Sequence, residues 1–287
     1  MPFAAPIRPP TGSKLIKEHL LKRYHPAEFL ASVLSNGKGF YTPLAYTLEC
    51  RRLGIGFLSP NINLSRDKFF PEKAGDAVKI RVPVRNVKDL TAQTLQKYRI
   101  ECEKASFQSM ADFYQRIQPT ALEMENLIRV GAFDSFGDSR TAQMWNLRHL
   151  LRFQVDGEQK PLFACAQSPL PEIPLTEPTY LDYLKAETEL LGFAVSGHPL
   201  DMFADVSWES YCPIVSLGKY AGQQVVVCGL IIQERSYSQV TGDKMKFLTI
   251  ADYTGMVECE LFADTYRRYG IQVARNPVIE LTATVTP

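Results

Sequence analysis

The sequence predicts an α+β fold, helical through its first two-thirds and closing on a small β-barrel. Three observations carry that reading. Up to Gly192, apolar residues recur at helical spacing between Pro, Thr or Ser starts and Gly stops. From Gln223 the texture changes to β-branched runs broken by short polar turns. Hydrophobic residues make up 45% of the 287, ample for a buried core and for two or three domains.

The helices follow in order. Lys14 to Tyr24 carries Leu15, Ile16, Leu20 and Leu21 at helical spacing, with Lys17, Lys22 and Arg23 between them. His25-Pro26 restarts the chain, and Gly37 ends that second helix. Thr42-Pro43 repeats the device, and the helix through Cys50, Arg51 and Arg52 stops at Gly54. Ile55–Leu58 and Val78–Val84 read as short strands separated by a polar, charged loop. Thr91 caps a helix to about Lys104, Ser109 opens another through Ile117, and Thr120 with Glu123 forms a capping box before a helix that Gly131 terminates. Ser139–Phe153 is helical again. Gly157–Pro178 holds five prolines and no periodicity, the mark of a linker or extended peptide. Thr179 with Asp182 caps one more helix, which ends at Gly192.

Four strands are expected at Val225–Arg235, Lys244–Asp252, Met256–Phe262 and Val278–Val285, with a helical turn at Asp264–Tyr269 before the last. Strand, strand, strand, helix, strand is the order of an OB-fold, a barrel that commonly binds oligonucleotides. A fifth strand is expected and the chain stops before it, which would leave an unpaired edge.

Composition narrows the function. No signal peptide opens the chain, and the longest apolar stretch, Val225 to Ile232, is too short for a bilayer span. The six cysteines form no Cys-X-X-Cys pair, as expected of free thiols in the cytoplasm. Net charge is only +1, but residues 1–90 hold 15 Lys/Arg against 7 Asp/Glu, while residues 161–212 hold 1 against 8. A basic front half can lie along phosphates, or can simply be a solvated helical surface. His19, His25, His149 and His198 have no metal-ligand spacing, and no closely spaced aspartates in a strand-like setting offer a seat for two divalent ions. No cofactor, metal or catalytic residue is expected, and His198 is read as structural.

Three stretches, in matching order, resemble the bacterial DNA polymerase III α subunits, the C-family replicative polymerases. His25–Ser65 is similar to that family's last fingers helices, Leu127–Arg140 (LIRVGAFDSFGDSR) to the close of its tandem helix-hairpin-helix module, and Leu190–Asp201 (LLGFAVSGHPLD) to the helix leading into its OB domain. Ser139–Trp145 resembles the error-prone branch associated with lesion bypass. The resemblance implies segments at 1–75 (end of fingers), 76–155 (helix-hairpin-helix), 156–178 (linker), 179–212 (connecting helices) and 213–287 (OB-fold without its last strand). It also implies that the palm bearing the catalytic carboxylates lies upstream of what this chain contains.

Three contacts are expected. The first is the hairpin around Arg85, Asn86, Lys88 and Thr91, where backbone amides at a tight turn can meet a DNA phosphate. The family usually supplies glycines there, whereas this chain has Asp89 and Thr91, so a purely structural turn stays open beside direct binding. The second is single-stranded DNA on the barrel, through Arg235, Tyr237, Lys244, Lys246, Arg267 and Arg268, with Phe247 and Phe262 as a core pair. That domain's zero net charge points to weak binding. The third is a short peptide at Gln159, Leu162 and Phe163 that resembles the sliding-clamp-binding peptide of bacterial replication proteins, against a linker packed on its own domain. The function expected is DNA and clamp binding that supports DNA replication or translesion repair without a palm. The alternatives are an active polymerase when assembled with a separate palm-containing chain, and a scaffold without DNA affinity.

Overall fold

Proline starts and glycine stops set the first helices. In the computed structural model, which describes residues 20–37, 41–155, 176–238 and 242–286, residues 20–24 are helical (α1). Pro26–Asn36 (α2) ends on Gly37 at φ +58°, and Pro43–Arg52 (α3) runs to Leu53 and the left-handed Gly54. The expected start at Lys14 falls outside the described residues. The chain divides into two compact units, one made of residues 57–72 and 79–197, the other of 1–56, 73–78 and 198–287.

Three strands, Gly56–Leu58 (β1), Phe70–Ala74 (β2) and Ala77–Arg81 (β3), pair in the order β1-β3-β2. β2 corrects the expected polar loop. Its FPEKA sequence has weak β propensity, and it becomes a strand by pairing with β3 across a two-residue turn that begins with Gly75 at φ +64°.

Residues 79–197 build the helical unit from Ala92–Lys104 (α4), Met110–Ile117 (α5), Ala121–Arg129 (α6), Arg140–Val155 (α7) and Tyr180–Leu191 (α8). The caps lie where the sequence places them. Thr91 accepts the Thr94 amide, Ser109 that of Asp112, and Thr120 and Thr179 form capping boxes with Glu123 and Asp182. A relay of rings fills the core, with centroids 5.0 Å apart for Phe107–Phe113 and 5.2 Å for Phe113–Phe133, above a floor of Ile117, Met124, Leu127 and Ile128 that is fully buried. A fully buried side chain of this size stabilises by about 1.5–3 kcal/mol.

The other unit is organised by Gln224–Ser238 (β4), Lys244–Ala251 (β5), Met256–Leu261 (β6), the helix Ala263–Arg275 (α9) and Val278–Thr284 (β7), in the expected order. The sheet is antiparallel, ordered β6-β5-β4-β7. β4 serves two partners, β7 over its first half (Gln224–Leu230) and β5 over its second (Leu230–Ser238), with a register shift between Ile231 and Gln233. The result is a curled sheet consistent with an OB-like half-barrel. Gly229 permits the curl, since a Cβ there would stand 3.0 Å from the Ala251 carbonyl. One side of the sheet packs Leu230, Ile232 and Ala251 against Ala45 and Leu48 of α3 and against Leu200. The other side closes over Leu248, Ile250, Leu261 and Val273. α9 runs six residues beyond the expected Tyr269 before Pro277 stops it.

Phe247 and Phe262 are not the core pair expected of them. Phe247 is half-buried and Phe262, the N-cap of α9, is 58% exposed. Alternation runs unbroken through β6, with Cys259 and Leu261 facing inward and Glu258 and Glu260 outward, so Phe262 falls on the outward side.

Candidate nucleic-acid interface

The first hairpin begins in a single helical turn, Val84–Asn86, and passes through Val87–Thr91 into α4. Val84 and Val87 anchor it in the core, leaving Arg85, Asn86, Lys88 and Asp89 exposed. Asp89 adopts φ +61°, the left-handed conformation a glycine takes at little cost and aspartate tolerates. The backbone behind these side chains is held from three directions. The Lys88 amide donates to the Leu190 carbonyl at 2.9 Å, and its own carbonyl accepts from Asn126 Nδ2 at 3.1 Å. The Thr91 amide donates to Glu123 Oε1 at 2.8 Å, and Thr91 Oγ1 accepts from the Thr94 amide. Thr91 therefore has both its amide and its hydroxyl engaged inside the protein.

Glu123 is 1% exposed and its other oxygen, Oε2, accepts from the Thr120 amide at 2.7 Å and from Thr120 Oγ1 at 3.0 Å. Burial alone would raise this carboxyl, but the amides of Thr91 and Thr120 prevail and hold it below the ordinary glutamate value. The capping box is legible in sequence as an i, i+3 pattern. The reach to Thr91, 32 residues away, has no local signal.

The second turn closes α6. Gly131 sits at φ +79°, and Arg140 folds over it. The guanidinium donates to Asp134 at 2.7 Å and to the Arg129 carbonyl at 2.8 Å, and lies 4.5 Å from the centre of the Tyr183 ring. Arg129 in turn pairs with Glu189 of α8 at 2.5 Å. The basic residues of this turn are thus tied to internal partners.

On the half-barrel, Tyr237 and Lys244 are exposed on either side of the β4–β5 turn. Arg235 lies 3.9 Å from Glu258 and also hydrogen-bonds Tyr41, whose hydroxyl is raised above the usual tyrosine value, chiefly by burial. Lys246 is withdrawn from the surface. It is 7% exposed, pairs with Glu234 at 2.5 Å and lies 5.5 Å from the Tyr266 ring centre. The central strand β5 is covered on both faces, so its even-numbered residues follow Leu248 and Ile250 inward. Arg267 is exposed but engaged by Asp243 and Asp264, and Arg268 is exposed beside Tyr269. Asp243, Lys244, Tyr266, Arg267 and Arg275 line an open pocket between the turn and α9.

His198 begins the turn of the SGHPLD stretch. Its Nδ1 accepts the Leu200 amide at 3.2 Å, Asp201 accepts the His198 amide, and the ring lies 4.5 Å from that of Tyr253. Burial, helped by Arg51, pushes the imidazole down to about 4. These contacts are those of a capping residue. Gln159, Leu162 and Phe163 lie outside the described residues. Among the described residues, no cluster of His, Cys, Asp or Glu has the arrangement of a metal site, and no helix is long and apolar enough to cross a membrane.

Residues 54–143 match the helix-hairpin-helix motif, which covers both turns. The DNA polymerase III α subunit of Aquifex aeolicus is 31% identical over 252 residues, 86% of this chain and 21% of that protein. The chain is homologous to a C-terminal segment of bacterial DNA polymerase III α. The α subunit of Thermus aquaticus is 29% identical over 266 residues, with the same coverage of each chain. The error-prone DNA polymerase of Symbiobacterium thermophilum is 27% identical over 310 residues, 93% of this chain and 29% of that protein. The chain spans about a fifth of the length of the first relatives it matches.

Proposed function

We propose that this chain binds DNA and a sliding clamp in support of DNA synthesis, with nucleotide addition carried by a palm outside these residues. The observation that carries the DNA reading is the hairpin. Arg85, Asn86 and Lys88 project from a turn whose backbone is fixed on three sides, within a helix-hairpin-helix match. Such side chains contact phosphates without reading sequence. On the half-barrel, Tyr237 and Lys244 offer a stacking ring and a cation to a single strand, with Arg235, Arg267 and Arg268 at the margin. Acidic partners on Arg235 and Arg267 keep that contribution small. The clamp assignment rests on the sequence of Gln159, Leu162 and Phe163 alone. The resemblance of Ser139–Trp145 to the error-prone branch supports a role in lesion bypass, and cytoplasmic residence follows from that same function. The proposed functional segments 1–75, 76–155, 156–178, 179–212 and 213–287 stand beside the two compact units, which group the chain by contact.

Fluorescence anisotropy with single-stranded and primer-template DNA across a salt series tests the reading. Binding should weaken linearly in log salt, and Arg85→Ala or Lys88→Ala should each lower the slope by about 1. Salt-independent binding, or none, would favour a scaffold. Primer extension by this chain alone should give no product; incorporation would reassign it as a polymerase. Replacing Leu162 and Phe163 with Ala should abolish capture by a bacterial clamp and leave DNA binding unchanged.

A further inference from the structure

We infer that the carboxylate of Glu123 occupies the anion seat of the first hairpin, so that DNA meets this turn through side chains and not through backbone amides. The inference rests on the DNA-binding reading above and specifies how that binding is made.

Amides at a turn leading into a helix attract an anion because they point outward without intrahelical partners. Here that role is filled from within. The Thr91 amide, at the N-cap of α4, is taken by Glu123 Oε1, and the Thr120 amide, at the N-cap of α6, by Oε2. One carboxylate thus bridges the positive ends of two helices. Two more amides of the turn are engaged, Val87 with the Val84 carbonyl and Lys88 with that of Leu190. At 1% exposure Glu123 cannot be displaced by a solvent phosphate without leaving a buried charge unpaired.

Two features of the turn agree. Glycines are needed where a backbone must approach a phosphate closely, and residues 89 and 91 are aspartate and threonine. An anion that grows from the protein's own helix imposes no such demand. Asp89, exposed at the apex, adds a negative charge that repels an incoming phosphate but leaves Arg85 and Lys88 free to reach past it.

The test is the amide spectrum of the whole chain, titrated first with inorganic phosphate and then with a short DNA duplex. In the native protein the Thr91 amide should not move with either, whereas the Arg85 side chain should move with the duplex. In Glu123→Ala, with spectral dispersion confirming a folded chain, the Thr91 amide should shift with inorganic phosphate. If Glu123→Ala does not fold, Glu123→Gln keeps the volume but offers one acceptor for two amides, and either Thr91 or Thr120 should then respond to phosphate. A phosphate-responsive Thr91 in the native chain, or no response in a folded variant, overturns the inference. A duplex that shifts no resonance overturns the DNA-binding reading and leaves the phosphate experiment to decide this one.

Discussion

Replacing Gly131 with alanine should be among the most damaging single changes in the helical unit. The glycine holds φ +79°, where a Cβ costs about 1–2 kcal/mol. The added methyl would also stand 2.5 Å from Asp134 Oδ2 and 2.8 Å from Arg140 Cζ. A long arginine can usually swing aside, but this one is pinned. Its guanidinium donates to Asp134 and to the Arg129 carbonyl and packs on Tyr183, with 11% of the side chain exposed. Moving it sacrifices charge-assisted bonds of about 1.5–3 kcal/mol, reduced because Asp134 is 46% exposed. The total is about 3–4 kcal/mol. Urea unfolding followed by Trp145 fluorescence in a Trp208→Phe background would measure it. The stringent control repeats Gly131→Ala in an Arg140→Ala chain, where Asp134, 46% exposed and without its partner, can turn to water and the backbone term of about 1–2 kcal/mol should remain. A loss below about 1 kcal/mol, or strictly additive effects in the four-variant cycle, would refute the claim that Arg140 cannot yield.

Three further outcomes follow from the geometry. His198 stays neutral in the folded chain to about pH 4, whereas the unfolded chain takes up its proton near the ordinary histidine value. Stability should therefore be complete above pH 7 and fall between about pH 6.5 and 4, by up to about 3 kcal/mol and about half that with solvent screening; His198→Asn, which can still accept the Leu200 amide, should flatten that part of the profile. Glu234→Ala should cost about 2–3 kcal/mol by stranding the buried Lys246, and Lys246→Met less than about 1, because Glu234 can turn to water; equal melting losses would contradict this asymmetry. Burial pushes the Cys50 thiol up to about 12 and Cys259 up to about 11, so iodoacetamide at pH 8 should leave both unmodified in the native chain, and mass spectrometry finding either alkylated before unfolding would disprove it.

Local chemistry made much of this fold readable. Pro26, Pro43, Thr91, Ser109, Thr120 and Thr179 each announce a helix start through interactions within four residues, and the structure uses all six. The β-rich order from Val225 onward is legible for a similar reason, since branched residues alternate between turns. What escaped is non-local. Phe70–Ala74 is a strand only because β3 pairs with it, and Glu123 supports the first hairpin only because the fold brings α6 beside Thr91. Lys246 looks like a groove cation in sequence, yet its strand lies in the middle of the sheet, where both faces are covered and Glu234 and Tyr266 neutralise it. Asp89 is legible as a departure from glycine, but its left-handed φ of +61° has no local sequence signal.

The hydroxyl of Thr42 donates to the carbonyl of Ile232 across 190 residues, and Ala45 and Leu48 pack beside that strand. Between these two halves of one compact unit the chain carries the whole of the other. On a ribosome, the helical unit is therefore complete and free to fold while α3 still waits for a surface that has not been synthesised. Its apolar face must be tolerated or shielded during that interval, so the sensitive period opens when α3 emerges and ends only as β4 follows.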